Sequence, residues 1–302
     1  MGFQKEKEVN YIFTHYSGNF ELHHRNNERG ILRLFLSAKK HLTNFKILFF
    51  TQNNIDNNID NNIDNKIPKS ILNFVEDNKD LVEIVKSKSL DLSVGLHCQR
   101  YCYYYLYLKN NRKQFKDDDR FFHIDASDVI FQDNIFDKVV PNNKIHIFYE
   151  DKDLTFRKSY INKKWIDDIK PNSSETIGNA PVCCSGTVLV DNLQQFENFL
   201  LDMSWSILRV EKGMTESLHD QALFNLILYG VLNNVFIDRN DLELHNNEYP
   251  ELVYTMQGVT GHNYTVTKTG ISVNNIVPCV LHQYDRHDNL FPIFDSIYNL
   301  TA

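Results

Sequence analysis

The 302-residue sequence predicts an α/β fold with a mixed, mostly parallel central sheet flanked by helices. Three observations support it. Segments with strand character alternate with segments of helical periodicity. Residues 46–51 form a nearly continuous apolar run, as in strands buried on both faces. Polar residues follow directly on the ends of apolar strands, where open α/β sheets bind ligands. No long Pro-, Gly- or Ser-rich stretch divides the chain, so one domain spanning residues 1–302 is expected.

The elements follow in order. Residues 9–17 predict a first strand, residues 27–43 an amphipathic helix, and residues 46–51 a second strand, which together favour a right-handed parallel crossover. Further strands are expected at 81–87, 120–124, 144–149, 181–190, 235–237 and 277–283, and further helices at 92–115, 193–210 and 220–230. The helix at 92–115 is rich in tyrosine on several faces, which predicts that most of these rings are packed in the core.

Composition excludes several classes of protein. The chain has 32 Lys and Arg against 39 Asp and Glu, a net charge of −7, which argues against binding of duplex nucleic acid. The sequence contains no stretch of about 18 apolar residues, so no membrane span is predicted. The polar start of the chain lacks an export signal, so a cytoplasmic location with free thiols is expected. The Asn-rich repeat at 53–66 predicts a solvated surface insertion.

The strongest local motif lies at residues 121–132. An apolar strand ends and is followed at once by Asp125 and Asp128. Two carboxylates at a strand end repel each other and favour a cation, and oxygen ligands suit Mg²⁺ or Mn²⁺. The alternative is that both residues only cap a turn.

A second polar group follows the apolar residues near 280. His282 offers the nitrogen ligand that Mn²⁺ accepts more readily than Mg²⁺, and Arg286 offers a fork of donors to phosphate. For each of these two residues taken alone, the alternative to ligand binding is a purely structural role. The density of polar groups at 282–287 favours a functional one.

Two further segments are candidates. Residues 181–187 predict a turn that opens a strand, in which Gly186 permits close approach to a ligand and Ser185 lacks the surroundings of a hydrolase nucleophile. Asp220 and Gln221 stand at a predicted helix start, where an aspartate either caps the helix or accepts hydrogen bonds from a sugar. The sequence has no P-loop and no Gly-x-Gly-x-x-Gly after the first strand.

In this order, the motifs resemble those of GT-A fold nucleotide-sugar-dependent glycosyltransferases. The nearest likeness is to a group with Asp-Ser-Arg-Asp-Val-x-Phe-Gln and His-Gln-Tyr-Asp-Arg, and a looser one is to glycogenin-like enzymes. The resemblance covers residues 9–298 except the insertion and implies a single Rossmann-like GT-A domain. The spacing departs from the usual Asp-x-Asp, because the third position is Ser127. Either Ser127 or Asp128 therefore takes the place of the second metal ligand of Asp-x-Asp, and the negative charge of Asp128 favours that residue.

The resemblance implies roles for particular residues. It implies metal ligation by Asp125, Asp128 and His282. It implies donor binding by the following set: Thr14 and Tyr16 at the nucleotide base, Arg100 over the donor, and Cys184, Ser185 and Gly186 along the sugar. Asp220 and Gln221 match a catalytic pair near the donor sugar, with Arg286 and Glu150 as further catalytic candidates.

The implied reaction moves a sugar from a nucleoside-diphosphate sugar, with UDP favoured, to a hydroxyl of a glycan, protein or small molecule. Mn²⁺ or Mg²⁺ is the expected cofactor. Retention of anomeric configuration is weakly favoured; an inverting enzyme would need a carboxylate base, for which Glu150 and Asp220 are candidates. The alternatives are a metal-dependent hydrolase or nuclease, a sugar nucleotidyltransferase, and a non-catalytic carbohydrate-binding protein of the same fold.

Overall fold

The structure is a computed structural model and describes residues 8–16, 27–53, 67–88, 90, 92, 94–151, 153–211, 219–233, 236–246, 251–256, 264–268 and 270–300. The predicted insertion lies outside the described residues from position 54 onward. Within the described ranges, no helix combines the length and apolar character needed to cross a bilayer. All five cysteines fall in these ranges and are buried free thiols: Cys98, Cys102, Cys183, Cys184 and Cys279.

The strands and helices alternate over most of the chain. The strands are β1 (Asn10–Tyr16), β2 (Phe45–Asn53), β3 (Val82–Lys88), β4 (Arg120–Asp125), β5 (Val129–Phe131), β6 (Ile145–Tyr149), β7 (Cys183–Val190), β8 (Leu242–His245), β9 (Val253–Thr255), β10 (Tyr264–Val266), β11 (Ile271–Val273) and β12 (Val280–His282). The helices are α1 (Asn27–His41), α2 (Lys69–Asp77), α3 (Leu96–Asn110), α4 (Ile135–Lys138), α5 (Tyr160–Ile169), α6 (Ser173–Thr176), α7 (Leu193–Glu211), α8 (Asp220–Leu228) and α9 (Phe291–Ile297).

The central sheet has the order β3-β2-β1-β4-β7-β6-β8 among the described residues. Neighbouring strands run parallel except at β7, which is antiparallel to both β4 and β6. The predicted α/β fold with a mixed, mostly parallel sheet is therefore confirmed. Because β7 is reversed, its first residues lie at the edge where β1 and β4 end: Thr187 pairs with Ile124, the residue before Asp125.

Side-chain alternation along the strands divides the core between the two faces of the sheet. On one face, Phe13 and Phe50 pack with Tyr104 of α3 and with residues of α7. On the other face, Ile12 and Phe49 pack with the apolar side of α1. Both faces of β2 are buried, as its apolar run predicts. Three of the tyrosines predicted to be core residues are also buried, namely Tyr101, Tyr103 and Tyr104.

A second, smaller sheet has the order β5-β12-β9, and its strand β5 belongs to the acid motif at residues 121–132. β12 runs antiparallel to β5 and parallel to β9. The predicted strand at 277–283 begins late, at Val280, after Pro278, which has no backbone N–H for a ladder.

Three other predicted elements differ from the structure. The helix expected at 92–115 spans only Leu96–Asn110, and the Asn111 side chain bonds the carbonyl oxygen of Tyr107 at its end. Residues 183–187 belong to β7 itself, so the predicted turn there is wrong. Phe236 and Ile237 are not in a strand, because their backbone N–H groups donate to the Asp202 carboxylate.

Candidate active site

The acid motif forms the turn between β4 and β5. Asp125 is the last residue of β4, and Asp128 stands just before β5. α1 packs against this turn at Gly30, where a Cβ atom would lie 2.2 Å from the backbone oxygen of Ser127. Only glycine allows this approach, so the packing of α1 helps to fix the position of both carboxylates.

His282 reaches the turn through strand pairing. The register of β12 against β5 places His282 opposite Val129, and the backbone N–H of Gln283 donates to the Asp128 carbonyl oxygen over 2.8 Å. The Nε2 atom of His282 lies 3.2 Å from Asp125 Oδ2 and 3.6 Å from Asp128 Oδ2. Its other nitrogen, Nδ1, lies 3.4 Å from Cys184 Sγ, so the ring is held on both sides.

These three side chains fit a divalent cation. Their ligand atoms all lie within 4.8 Å of one another and combine two carboxylates with an imidazole. The Oδ1 atom of Asp128 is buried and has no hydrogen-bond partner among the residues that the structure describes. Gly186 keeps the space beside the cluster open, because a Cβ there would lie 2.2 Å from Asp125 Oδ2. An orphaned buried oxygen within a compact donor set is what a metal site needs.

Arg100 links the cluster to a third carboxylate. Its guanidinium pairs with Asp125 through Nη1 and with Asp220 Oδ2 through Nη2, the latter over 2.6 Å. The Arg100 side chain is only 6% exposed, whereas the Asp125 side chain, which borders the cleft, is 31% exposed. The helix prediction for Asp220 is confirmed, since α8 begins there. Arg100 therefore holds the carboxylates of Asp125 and Asp220 at a fixed separation.

Gln221 extends this network away from the cluster. Its Nε2 atom donates to Glu150 Oε1 and to Asn162 Oδ1, each over 2.9 Å. Glu150 follows β6 and is buried. The structure thus places Glu150 next to Gln221, and the chain of contacts runs from Asp125 through Arg100 and Asp220 to this pair.

A cleft with a volume of about 240 Å³ opens beside the acid turn. It is lined by His15, Tyr16, His97, Arg100 and the residues 125–128. Thr14 does not line it: its side chain is fully buried on the opposite face of β1 from His15. His15 and His97 were not singled out from the sequence, although His15 stands between two residues that were.

The remaining candidates lie around the cluster at different depths. Ser185 is buried in β7, where its carbonyl oxygen accepts from the Tyr101 hydroxyl over 3.4 Å. Arg286 is exposed beyond β12, and its charge acts on Asp128. Ser127 contributes its backbone oxygen to the Tyr284 hydroxyl, while the carboxylate of Asp128 is the group that meets His282.

Burial and charge set the pKa values in the cluster. Burial opposes ionisation of Asp125, yet the Arg100 guanidinium and then His282 hold the pKa of that carboxyl well below its usual range. Burial raises the pKa of Asp128 to about 7, against the opposing effect of His282 and with a further contribution from Asp125. Burial also lowers the pKa of His15 to about 3, with Arg100 acting in the same direction, so His15 faces the cleft as a neutral imidazole.

Comparison with known proteins finds similarity of fold alone. No protein-family model and no curated protein matches the sequence. Among solved structures, the glycosyltransferase GlyE of Streptococcus pneumoniae TIGR4 is similar over 80% of this chain and 46% of its own, at 13% identity and a TM-score of 0.42. Its apo form aligns over 97% and 62% of the two chains, at 11% identity and a TM-score of 0.45.

Mouse xyloside xylosyltransferase 1 in its apo form is similar over 91% of this chain and 98% of its own, at 12% identity and a TM-score of 0.45. The chain thus spans about half the length of the first GlyE structure and nearly all of the mouse enzyme. At these identities and TM-scores the similarity carries no argument about function. An argument about function has to rest on the residues of the site.

Proposed function

We propose that the protein is a metal-dependent glycosyltransferase that moves a sugar from a nucleoside-diphosphate sugar, with UDP favoured, to a hydroxyl of a glycan, protein or small molecule. One observation carries the proposal: Asp125, Asp128 and His282 meet at the end of β4 beside a cleft of about 240 Å³. These are the residues to which the sequence resemblance gives the metal role, and His282 is 157 residues from Asp125 in the chain.

Asp125, Asp128 and His282 would hold the metal ion. A set of two oxygen donors and one nitrogen donor favours Mn²⁺, with Mg²⁺ as the alternative. When bound, the ion supplies positive charge and Lewis acidity toward the diphosphate. Gly186 preserves the room for it, and Cys184 keeps the His282 ring in its orientation.

The cleft side chains are assigned to the nucleotide part of the donor. Tyr16 offers a ring and His15 a neutral imidazole at the end of β1, which suits packing against a base. Thr14 is buried in β1 and is assigned a supporting role in that strand rather than a contact with the base. Arg100 and Arg286 add positive charge near the site where the diphosphate leaves.

The sugar side is assigned to Asp220, Gln221, Ser185, Gly186 and Glu150. In the reaction the bond between the anomeric carbon and the phosphate oxygen breaks, and a bond from the acceptor oxygen forms. On the retaining course we favour, the acceptor proton passes to the leaving phosphate oxygen, and Asp220 and Gln221 orient the sugar. On an inverting course Glu150 or Asp220 would take that proton as a general base.

The test begins with thermal unfolding of the full chain in the presence of UDP or GDP, with and without Mn²⁺. Stabilisation that requires both nucleotide and metal is expected. A panel of UDP- and GDP-sugars is then assayed for release of the nucleoside diphosphate with sugar transferred to an acceptor. Asp128→Asn should abolish metal-dependent release, whereas Asp133→Asn, at an exposed carboxylate just after β5, should not.

Other outcomes would point to the alternatives. Absence of any nucleotide response, together with binding of free sugars, would indicate a non-catalytic carbohydrate-binding protein. Metal-dependent cleavage of phosphodiesters without sugar transfer would indicate a hydrolase or nuclease. Formation of a nucleotide-sugar from a nucleoside triphosphate would indicate a nucleotidyltransferase.

A further inference from the structure

A second histidine–carboxylate cluster lies at the β8 edge of the central sheet and shares no residue with the first. It consists of His146 on β6 with Glu243 and His245 on the edge strand β8. The parallel pairing of these strands sets His146 beside Glu243, and alternation along β8 puts Glu243 and His245 on one face. We call these three residues the edge cluster.

The distances within the edge cluster suit a metal ion. Nδ1 of His146 lies 3.0 Å from Nε2 of His245. The Glu243 oxygens lie 3.8 Å from the first of these nitrogens and 3.9 Å from the second. Two nitrogens bound to one tetrahedral Zn²⁺ at 2.0–2.1 Å would stand roughly 3.3 Å apart. The two imidazoles already have nearly that spacing, and the Glu243 carboxylate, on a side chain that is 40% exposed, lies next to both nitrogens.

A buried carboxylate fixes the orientation of His146. Asp191 Oδ2 lies 3.0 Å from His146 Nε2 and also accepts from the backbone N–H groups of Asn142 and Lys144. Its Oδ1 atom pairs with Arg120 over 2.9 Å. Because a paired, ionised carboxylate only accepts, His146 carries its proton on Nε2 and directs the lone pair of Nδ1 toward His245. Metal-ligating histidines are typically held by such a carboxylate.

We propose that His146, Glu243 and His245 bind a divalent transition metal, Zn²⁺ in particular, that fastens the edge strand β8 to β6. Two imidazoles and one carboxylate are a donor set that Zn²⁺ accepts. The Glu243 side chain is 40% exposed, so water has access to the cluster as a source of a fourth ligand. The ion would stabilise an edge strand whose side chains are otherwise only partly covered.

The test measures Zn²⁺ binding to the full chain after chelator treatment, by competition with a chromophoric chelator. It is run in an Asp128→Asn, His282→Ala background so that the first cluster contributes nothing. His245→Ala should weaken Zn²⁺ binding by at least about 100-fold, since loss of an outer-shell partner alone costs 10–100-fold. His41→Ala, at a histidine in neither cluster, is the matched control and should bind as tightly as the background protein.

Two further measurements separate a site from a fortuitous contact. Zn²⁺ should raise the thermal midpoint of the background protein and leave that of His245→Ala unchanged. Co²⁺ should give the visible absorption of a tetrahedral site, and Glu243→Gln, a substitution that keeps the side chain's size, should diminish it. Equal Zn²⁺ affinity in the background protein, His245→Ala and Glu243→Gln would overturn the proposal.

Discussion

The two clusters are assembled differently. In the first, Asp125 and Asp128 lie on one short turn, and His282 comes from a strand 157 residues beyond Asp125 in the chain. The edge cluster lies on two adjacent strands of one sheet. The first cluster borders the cleft beside Arg100 and contains a buried Asp128 oxygen that lacks a hydrogen-bond partner within the described part of the chain. The edge cluster is instead anchored from behind by Asp191. The difference suggests that a donor set with an unsatisfied buried oxygen serves a substrate, while a donor set on paired strands, with one histidine held by a buried carboxylate, serves stability.

The largest effect is expected from Asp191→Ala, which removes the anchor of the edge cluster. It leaves Arg120 buried without its carboxylate and releases His146, so the free energy of unfolding should fall by about 3–5 kcal/mol. Urea unfolding followed by circular dichroism would measure it. Asp117→Ala, at a carboxylate that is 90% exposed, is the control and should have little effect. A similar small effect in Asp191→Ala would contradict the anchoring role.

The next effect is on activity and separates the two clusters. His282→Ala should reduce metal-dependent transfer by at least about 100-fold, because a direct ligand is lost, while the Zn²⁺ affinity of the edge cluster stays the same. Steady-state release of the nucleoside diphosphate and Zn²⁺ competition would measure the two properties side by side. Full transfer activity in the variant would refute the metal role of His282.

A smaller effect is expected from Gly186→Ala. The added methyl would lie 2.2 Å from Asp125 Oδ2 and 3.1 Å from His282 Cε1, so both side chains must shift. Overpacking of this kind lowers the free energy of unfolding by about 1–3 kcal/mol. Because the two displaced side chains are proposed metal ligands, Mn²⁺ binding should also weaken by about tenfold or more. Titration with Mn²⁺ followed by electron paramagnetic resonance would measure it, with thermal unfolding as the check that the fold is kept. Unaltered Mn²⁺ affinity would show that the ion binds elsewhere.

The smallest effect is expected from Tyr284→Phe. The buried hydroxyl donates to the Ser127 backbone oxygen over 3.3 Å and accepts from Arg33 over 3.4 Å, so it ties the acid turn to α1. Its removal should lower the free energy of unfolding by about 0.5–1.5 kcal/mol. Tyr160→Phe, at a ring that is 79% exposed, is the control. Equal stability of the two variants would mean that the hydroxyl's contacts are not stabilising.

The sequence predicts the first cluster well because the signals are local. An apolar strand followed at once by acids marks Asp125 and Asp128, and the same pattern marks His282. Their meeting was only implied by resemblance, since it depends on the register of β12 against β5, which no local pattern encodes. The reversal of β7 likewise decides that Gly186 faces Asp125, and the sequence around it was interpreted as a turn.

The edge cluster escaped prediction for a related reason. His146 lies inside an ordinary apolar strand, and the strand carrying Glu243 and His245 was not expected at all. Each residue alone looks structural, and only the pairing of β6 with β8 gathers them. Thr14 shows the converse: its position near a strand end was predicted correctly, but its side chain is fully buried and does not line the cleft that His15 and Tyr16 border.

The long reach of β12 has a consequence for biosynthesis. The acid turn emerges from the ribosome well before His282, so a nascent or truncated chain can hold Asp125 and Asp128 without their histidine. Competence for catalysis on the proposed mechanism therefore requires that β12 has been made and has docked on β5. A chain interrupted between Asp128 and His282 would carry only two of the three proposed ligands.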